Sequence, residues 1–582
     1  MVFKFKGAKQ PPAPPFPSYG GVHPDDKKAP NNRAAISEIP QPPQVVIPMS
    51  QHIGAPCTPL VAVGDEVRLG QKIGEAKAPV SAPIHSSVSG KVVAIEPRLN
   101  NLGNMVTCVI IDNDGKDAPA PTMLPAPAED LEDPEKLAAL IREAGIVGMG
   151  GATFPTGFKI TSGWGKVDTV IINGAECEPY ITSDHRTMLE HPEELLKGIQ
   201  LIMRACKVDH AYFAIEKNKQ FAIDLLRFKG AENYGIEIVE LECRYPQGAE
   251  KTLIHTITGR EVPPGGLPAA VGCAVFNTFT SYSVYRAAYE GWPAIERVVT
   301  VSGSAIAEPK NVKVRVGTPM RWVFEQTGGF AKTPWKIIMG GPMMGIAQYD
   351  LDVPCGKGTA SLLCFAGDEN RRVEHPTCIR CGQCLQVCPM KLQPIYMYLY
   401  EEKGDVEMMK KLNLTDCVEC GACTYNCPGR LDLTHAFKVG KAKIQAFDAA
   451  VKAREAEEKA KAEAEAKARE EAEAEEARLK AEAEAKEAAE KAAAEEVPVE
   501  EIAVEEIAVE AIPIEESPAE DVPVEEAPAE EAPVEEAPVE EAPVEEAPVE
   551  ETPVEDVSVE EATAEETPVE EASPEETEKE AE

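Results

Sequence analysis

The sequence CIRCGQCLQVCP spans residues 378–389, and CVECGACTYNCP repeats its cysteine spacing at residues 417–428. In each run three cysteines are separated by two residues, and a fourth cysteine follows after three residues, directly before a proline. Three thiolates at this spacing can surround one face of a [4Fe–4S] cubane. The duplicated run therefore predicts two [4Fe–4S] clusters, and with them the transfer of single electrons.

The fourth cysteine of each run decides how the clusters are shared. In two-cluster ferredoxin folds this cysteine ligates the cluster of the other run, which ties the two halves of the domain together. One cluster is assigned Cys378, Cys381, Cys384 and Cys427, and the other Cys417, Cys420, Cys423 and Cys388. We expect a helical, ferredoxin-type domain at residues 365–440. CxxC pairs also bind zinc, but repetition of the whole run with its proline favours clusters.

The remaining cysteines show no metal-binding spacing and are expected to be buried thiols. They are Cys57, Cys108, Cys177, Cys206, Cys243, Cys273, Cys355 and Cys364. The segment between the two runs, residues 390–414, has helical character. Its Met and Tyr residues are expected to form core rather than redox relays.

Charge separates the body of the chain from its tail. The net charge is −41, of which −38 falls on residues 441–582 and −3 on residues 1–440. Residues 441–496 are dominated by Ala, Glu, Lys and Arg, which predicts a solvated charged helix. Residues 497–582 repeat units such as APVEE, and their prolines and mutually repelling Glu residues predict a disordered acidic tail. The body has no basic signature of nucleic-acid binding, so no nucleic-acid partner is expected.

The beginning of the chain shows no export signal. Residues 1–43 are rich in proline and are expected to form an extended arm over the body. They lack the apolar core of a signal peptide, and no run of 18 apolar residues predicts a transmembrane helix. We therefore expect a protein that stays in the cytoplasm and uses its sixteen cysteines for metal binding rather than for disulfides.

Short Val/Ile runs separated by glycine turns fill residues 44–120. The stretch VGDEVRLGQKIGEAKAPVSAPIHSSVSGKVVAI (63–95) resembles a biotinyl/lipoyl-type barrel-sandwich domain, in which strands too short for helices alternate with turns. The resemblance raises the question of whether Lys77 carries a swinging cofactor. Lys77 lacks the usual acidic or Met neighbour, so a scaffold domain that docks others is the favoured interpretation.

Strands alternate with helices across the next part of the chain, which we assign to an α/β domain at residues 130–292. Strands are predicted at residues 167–173, 210–216 and 236–241, with helices near 193–206 and 221–228. Asp133 before Pro134 predicts a helix N-terminus. Such alternation favours a Rossmann-like parallel sheet covered on both faces. Residues 293–350 alternate like a small mixed sheet and resemble the soluble-ligand-binding β-grasp (SLBB) module.

A glycine-rich loop, GMGGATFPTGFK, occupies residues 148–159. Its spacing is not that of the dinucleotide-binding fingerprint, and no strand directly precedes it. Glycines nevertheless let backbone N–H groups approach an anion closely, and Lys159 adds a positive charge. The loop is therefore a candidate phosphate site, with a plain tight turn as the alternative.

Four motifs in order identify a resemblance. The glycine-rich loop is followed by INGAECEPYITSDHR (172–186), YPQGAEKT (245–252) and VFNTFT (275–280). This series resembles the flavin- and NADH-binding subunit of respiratory complex I. With the lipoyl-like front, the SLBB module and the cluster motifs, residues 1–440 resemble the C subunits of Rnf complexes, membrane-bound, ion-translocating ferredoxin:NAD⁺ oxidoreductases. The implied fold is a multidomain α+β protein.

The resemblance implies a non-covalent FMN in the α/β domain, with NAD(H) stacking on it. The implied contact residues are Gly148, Gly150, Gly151 and Lys159 around the flavin and its phosphate, Asn173 and Glu176 at the flavin edge or nicotinamide side, Tyr245, Gly248 and Glu250 on the opposing loop, and Asn277 and Thr278 at the phosphate end. Ala175 and Ala249 stand where complex I has acidic residues, so the nucleotide contacts differ in detail.

The function implied is hydride exchange between NAD(H) and FMN, followed by single-electron transfer through the clusters. Membrane and iron–sulfur subunits would be the partners, with ferredoxin as an indirect one and Na⁺ or H⁺ as the translocated ion, at the cytoplasmic face of the membrane. A corrin reductase with the same modules is one alternative. A non-enzymatic electron conduit and assembly scaffold is another.

Overall fold

The computed structural model describes residues 15–367 and 375–494, and the tail that we predict to be disordered lies outside them, as do residues 1–14 of the arm. The chain divides into two units, Met1–Lys480 and Ala481–Glu582. Within the described residues, the strands form four sheets.

The barrel-sandwich part contains two antiparallel sheets. Its strands are β2 (Gln44–Pro48), β3 (Thr58–Pro59), β4 (Glu66–Val67), β5 (Lys72–Glu75), β6 (Ile84–His85), β7 (Gly90–Leu99) and β8 (Met105–Asn113). One sheet has the order β2-β8-β7-β4 and the other β3-β5-β6. Val45, Ile73 and Ile111 are buried in one core that both sheets share. Lys77 lies exposed shortly after β5.

The α/β domain contains a four-stranded parallel sheet. Its elements are α1 (Ala128–Glu132), α2 (Pro134–Glu143), α3 (Thr156–Gly163), β9 (Thr169–Gly174), α4 (Ser183–Glu190), α5 (Pro192–Cys206), β10 (Ala211–Glu216), α6 (Gln220–Phe228), β11 (Ile236–Leu241), α7 (Glu250–Thr258), β12 (Cys273–Asn277) and α8 (Thr278–Glu290). The strand order is β11-β10-β9-β12, and every pairing is parallel. The predicted N-terminus is confirmed, because the Asp133 side chain accepts hydrogen bonds from the first turn of α2.

Both faces of this sheet are buried, as predicted. Along β9, Val170 and Ile172 pack into one core while Ile171 packs into another. Along β12, Phe276 and Val275 divide between the same two cores. Since successive side chains of a strand point to opposite faces, helices must cover the sheet on both sides, as in other parallel sheets.

A six-stranded mixed sheet follows. Its elements are β13 (Glu296–Ser302), β14 (Lys310–Arg315), α9 (Met320–Gln326), β15 (Pro334–Met339), β16 (Ile346–Gln348) and β17 (Ser361–Ala366), and the arm adds β1 (Ser37–Glu38). The order is β1-β14-β13-β17-β15-β16. Strand β17 lies beyond residue 350, where the sequence places the end of the module, because its buried side chains fill the centre of the sheet between β13 and β15.

The cysteine-rich part is helical. Its helices are α10 (Gln383–Gln386), α11 (Pro394–Glu402), α12 (Val406–Lys411), α13 (Ala422–Tyr425) and α14 (Leu433–Ala494). Helix α14 begins eight residues before residue 441, because Leu433, Phe437 and Ile444 are buried in the core of this domain. Across residues 15–367 and 375–494, no helix has the length and apolar character that crossing a bilayer requires.

One buried lysine joins three parts of the chain. Lys357, in the segment before β17, donates hydrogen bonds to the carbonyl oxygens of Pro83 at 2.8 Å and Gly145 at 2.6 Å. Pro83 belongs to the barrel sandwich, and Gly145 leads into the glycine-rich loop. Burial lowers the pKa of Lys357 to about 7. Burial, together with the nearby charge of Lys357, lowers the pKa of His85 to about 3.

We expect the variant Lys357→Met to change how stability depends on pH. Because the pKa of Lys357 is about 7 in the folded chain and 10.5 ordinarily, the unfolded chain holds a proton between these values that the folded chain lacks. Stability should therefore rise with pH in this window, and the rise should be smaller in Lys357→Met. Unfolding temperatures of both proteins at pH 7 and pH 9.5 test this. If the unfolding temperature changed by the same amount between the two pH values in both proteins, this expectation would be wrong.

Candidate functional site

The carboxyl ends of β9 and β12 lie side by side at one edge of the parallel sheet. From β9 the chain proceeds outward through β10 to β11, whereas β12 lies on the other side of β9. Ligands of open α/β sheets bind at such a reversal of strand order. Helix α8 also begins here, directly after β12, and the N-termini of helices attract anions.

The glycine-rich loop is held over this edge by a side chain of α8. The Thr280 hydroxyl donates to the carbonyl oxygen of Val147 at 3.1 Å and accepts from the N–H of Met149 at 2.9 Å. A Cβ at Gly150 would lie 2.5 Å from Nδ2 of Asn277, so the loop touches the end of β12. A Cβ at Gly151 would meet no atom within 4 Å. The loop thus leaves open space beside Gly151.

Two asparagines organise the strand ends. Asn277 caps α8, since its Oδ1 accepts from the N–H groups of Phe279 and Thr280, and its Nδ2 donates to Asp184 at 2.7 Å. Asn173 donates to the carbonyl oxygen of Gly248 at 2.8 Å.

The loop before α7 closes in on the end of β9. A Cβ at Gly248 would lie 2.6 Å from the carbonyl oxygen of Ala175, which only glycine avoids. The Thr278 hydroxyl donates to the carbonyl oxygen of Asn173 at 3.1 Å and joins β12 to β9.

Lys159 lies on α3 at the same edge. Its ammonium group forms an ion pair with Glu250 at 3.1 Å and donates to the carbonyl oxygen of Val275 at 2.9 Å. Lys159 and Glu250, which the sequence places on two different loops, therefore meet. The Lys159 side chain is partly exposed, and the carboxylate of Glu250 neutralises part of its charge.

Glu176 points into the protein. Its carboxylate accepts from the N–H groups of Asp184 and His185 at the start of α4, at 2.8 and 3.4 Å. Burial raises the pKa of Glu176 to about 7. The side chain thus holds the loop after β9 against α4.

Lys28 of the arm supports the same loop, and no sequence pattern indicated this role. Its buried ammonium group donates to the carbonyl oxygens of Glu176 at 2.9 Å, Glu178 at 2.8 Å and Ile181. Burial lowers the pKa of Lys28. A Lys within HPDDKKAP (23–30) looks like an ordinary surface residue, and nothing local indicates contacts about 150 residues away.

Four cysteines line one cavity in the helical domain. Cys388 of the first run shares this small cavity with Cys417, Cys420 and Cys423 of the second run. This is the grouping that the crosswise assignment gives to one cluster. Backbone N–H groups approach the sulfur atoms, from Leu392 to Cys388 at 3.3 Å and from Glu419 to Cys417 at 3.4 Å. Such N–H groups favour thiolates.

The two runs have the same local backbone. Positive φ angles recur two, four and thirteen residues after the first cysteine of each run. They occur at Arg380 and Glu419, at Gly382 and Gly421, and at Lys391 and Arg430. The runs differ in depth, since Cys420 and Cys423 are buried whereas Cys381 is exposed. A Cβ at Gly429, two residues after Cys427, would clash with the carbonyl oxygen of Thr377, so the end of the second run lies beside the start of the first.

Four family descriptions match successive parts of the chain. They are the RnfC barrel sandwich hybrid domain at residues 16–116, the Nuo51 FMN-binding domain at 141–286, the SLBB domain at 298–347 and the 4Fe-4S dicluster domain at 371–428. The C subunit of the Na(+)-translocating ferredoxin:NAD(+) oxidoreductase complex of Acetobacterium woodii is 42% identical over 73% of this chain and 97% of its own length.

The chain belongs to the family of C subunits of ion-translocating ferredoxin:NAD(+) oxidoreductase (Rnf) complexes. The C subunit of the proton-translocating complex of Clostridium ljungdahlii is 45% identical over 68% of this chain and 87% of its own. The C subunit of the ion-translocating oxidoreductase complex of Rhodobacter capsulatus is 41% identical over 74% of this chain and 83% of its own length. Among solved structures, NAD⁺-reducing [NiFe]-hydrogenase in the H2-reduced state has a TM-score of 0.40 at 20% identity, covering 55% of this chain and 63% of that one.

These comparisons confirm several expectations from sequence. The multidomain fold, with its barrel-sandwich, flavin, SLBB and dicluster parts, is confirmed. FMN and [4Fe–4S] clusters are the cofactors, and electron transfer within an Rnf complex is the function of this C subunit. It works as one subunit among others. These relatives are subunits of ion-translocating complexes, which favours the Rnf interpretation over the corrin reductase.

Proposed function

We propose that this C subunit exchanges hydride between NAD(H) and an FMN bound at the carboxyl edge of β9 and β12, and passes single electrons between that FMN and two crosswise-held [4Fe–4S] clusters. One observation carries the proposal. Tyr245, in the loop that faces this edge, donates a hydrogen bond to the carbonyl oxygen of Cys420, so the flavin site and a cluster ligand meet within one chain.

A bound flavin supplies the conversion between a two-electron hydride and single electrons. The chain's own part is to bind and orient it. Gly148, Gly150 and Gly151 carry no side chain, so backbone N–H groups can approach the ligand closely. The N-terminus of α8, where Thr278 follows the capping residue Asn277, turns the positive end of the helix dipole toward a phosphate.

Lys159 adds charge to this anion site. With Glu250 as its partner, the ammonium group is fixed in position rather than free to turn into water. A phosphate would then compete with Glu250 for the same donor group, or share it. Lys159 thus supplies a positive charge beside the proposed phosphate position.

The nicotinamide side is assigned to the loop that begins at Tyr245. Gly248 allows this loop to approach Ala175 closely, and Asn173 ties it to the end of β9. Ala175 and Ala249 stand where complex I has acidic residues, so the loop on the nicotinamide side carries less negative charge in this chain. Glu176 orients the loop after β9 through its bonds to α4.

The eight cysteines of the two runs are proposed as the cluster ligands. The cavity that unites Cys388 with Cys417, Cys420 and Cys423 supports the crosswise assignment for one cluster. The same backbone conformation in the first run supports Cys378, Cys381, Cys384 and Cys427 for the other.

The wider setting follows from the names of the relatives. Their complexes are ferredoxin:NAD(+) oxidoreductases that translocate Na(+) or protons. We propose that this C subunit lies peripherally at the cytoplasmic face of the membrane. There it would exchange electrons with membrane and iron–sulfur subunits, which in turn receive electrons from ferredoxin.

Charge reversal at Lys159 tests the flavin assignment. In the full chain prepared anaerobically, Lys159→Glu should retain its iron but lose FMN and NADH-dependent reduction of an artificial acceptor by at least about tenfold, because a carboxylate would face both Glu250 and the phosphate. Lys166→Glu, three residues beyond the end of α3, is the matched control and should behave as the unmodified chain. Unchanged FMN content and NADH oxidation in Lys159→Glu would support the electron-conduit alternative instead.

A further inference from the structure

Tyr245 joins the flavin site to one cluster. The side chain is 1% exposed, among the largest that are fully buried. Its hydroxyl group donates to the carbonyl oxygen of Cys420 at 2.6 Å and lies 3.3 Å from Oε1 of Glu178. Glu178 belongs to the loop after β9, two residues beyond Glu176. One hydroxyl thus links the backbone of a proposed cluster ligand to the flavin loop.

Glu178 extends this link into the six-stranded sheet domain. Its carboxylate accepts from the N–H groups of Met343 at 3.1 Å and Met344 at 3.0 Å. A Cβ at Gly421 would lie 2.8 Å from the carbonyl oxygen of Met343. The segment Cys420–Gly421 is therefore held on two sides, by Tyr245 and by the loop that Glu178 binds.

The arm ties the same parts together from another direction. Val22 exchanges two backbone hydrogen bonds with Tyr245, at 2.7 and 2.9 Å. Gly21 donates to the carbonyl oxygen of Val387 at 2.8 Å, and a Cβ at Gly20 would lie 2.7 Å from the backbone of Cys388. The arm thus touches the cysteine that crosses over to the second run.

In the part of the chain that the structure describes, the first run has no such contact at the corresponding position. Gly382 has the same backbone conformation as Gly421 but meets no atom within 4 Å. Cys381, which corresponds to Cys420, is exposed. The junction with the flavin loop is therefore built on one run and absent, among the described residues, from the equivalent glycine of the other.

We propose that Tyr245 is a positioning residue for electron exchange, and that its hydroxyl group tunes the reduction potential of the cluster of Cys388, Cys417, Cys420 and Cys423, which lies next to the flavin site. This inference rests on the proposed function, because it requires both cofactors. The Tyr245 hydroxyl group donates to the backbone carbonyl of Cys420, so it turns the positive end of its dipole toward that residue. A positive dipole end beside a cluster ligand residue favours the more negative, reduced cluster and so raises the potential. The carboxylate of Glu178 acts in the opposite sense.

Two variants with opposite expected signs test the proposal. The full chain, prepared anaerobically, is titrated with dithionite and followed by electron paramagnetic resonance at pH 8. In Tyr245→Phe one of two cluster signals should shift to a more negative potential, while the other stays in place. In Glu178→Gln, which keeps the shape of the side chain and one of its two acceptor oxygens but removes its charge, the same signal should shift to a more positive potential. Tyr398→Phe removes a hydroxyl group that bonds Glu402 within α11 and serves as control.

The outcomes separate this inference from the proposed function. An unmodified chain that contains no FMN or no iron would overturn the proposed function itself. With both cofactors present, shifts of both signals, of neither, or in the same direction in the two variants would overturn the role of Tyr245. Loss of iron from both variants would also overturn it, because the contact would then serve folding rather than tuning.

Discussion

Cys388→Ser is expected to remove the cluster of the second run, although Cys388 itself belongs to the first. Iron should fall from about eight to about four atoms per chain, since each cubane contains four. The reason is the shared cavity, in which Cys388 completes the set of Cys417, Cys420 and Cys423. Iron analysis and electron paramagnetic resonance of the reduced full chain measure the loss.

The matched variant is Cys427→Ser, at the corresponding position of the second run. It should remove the other signal, and Cys378→Ser should remove that same signal. Cys243→Ser changes an exposed cysteine outside both runs and should leave iron unchanged. If Cys388→Ser and Cys378→Ser abolished the same signal, each run would hold its own cluster and the crosswise assignment would be wrong.

Local patterns in the sequence predicted much of this fold. The strand predicted at residues 236–241 is β11 within the same bounds, and the other two strands differ by one or two residues at their ends. These elements follow from buried Val and Ile runs and from capping residues, both of which act over a few positions. Cysteine spacing is also a local pattern, so the two clusters could be predicted from the sequence as well.

What the sequence did not predict are contacts between distant segments. Lys28 lies in a polar stretch typical of a surface, yet it binds three carbonyl groups about 150 residues away. Lys357 likewise lies in a segment without a motif and joins Pro83 to Gly145. Such residues are fixed by tertiary packing, for which a single sequence contains no periodicity or spacing.

In the candidate site, too, local motifs predicted some features, whereas others depend on contacts with distant segments. The motifs place Gly150, Asn173 and Asn277 at one sheet edge, where the structure brings them together. The direction of a side chain is a different matter, because it depends on neighbours that the motif does not contain. Glu176 turns toward α4 because unpaired N–H groups of that helix lie behind the loop.

Valine at Gly150 and at Gly151 is expected to abolish FMN binding for two different reasons. At Gly150 a Cβ would meet Asn277 at 2.5 Å, so Gly150→Val should displace the loop and cost about 1–3 kcal/mol of stability as well as the flavin. A Cβ at Gly151 would meet no atom of non-neighbouring residues within 4 Å, so Gly151→Val adds volume to the open space that we assign to the flavin.

Gly151→Val should therefore have the same unfolding temperature as the unmodified chain when both lack FMN. It should keep its iron and both cluster signals, and should lose nearly all its FMN. Flavin released on denaturation, measured beside iron in the same sample, gives the result, with the clusters as the internal control. Gly150→Val should instead lower the unfolding temperature together with the flavin content. Full flavin occupancy in Gly151→Val would show that the space beside this glycine is not where the flavin binds, because two methyl groups there and a bound isoalloxazine or phosphate could not occupy the same volume.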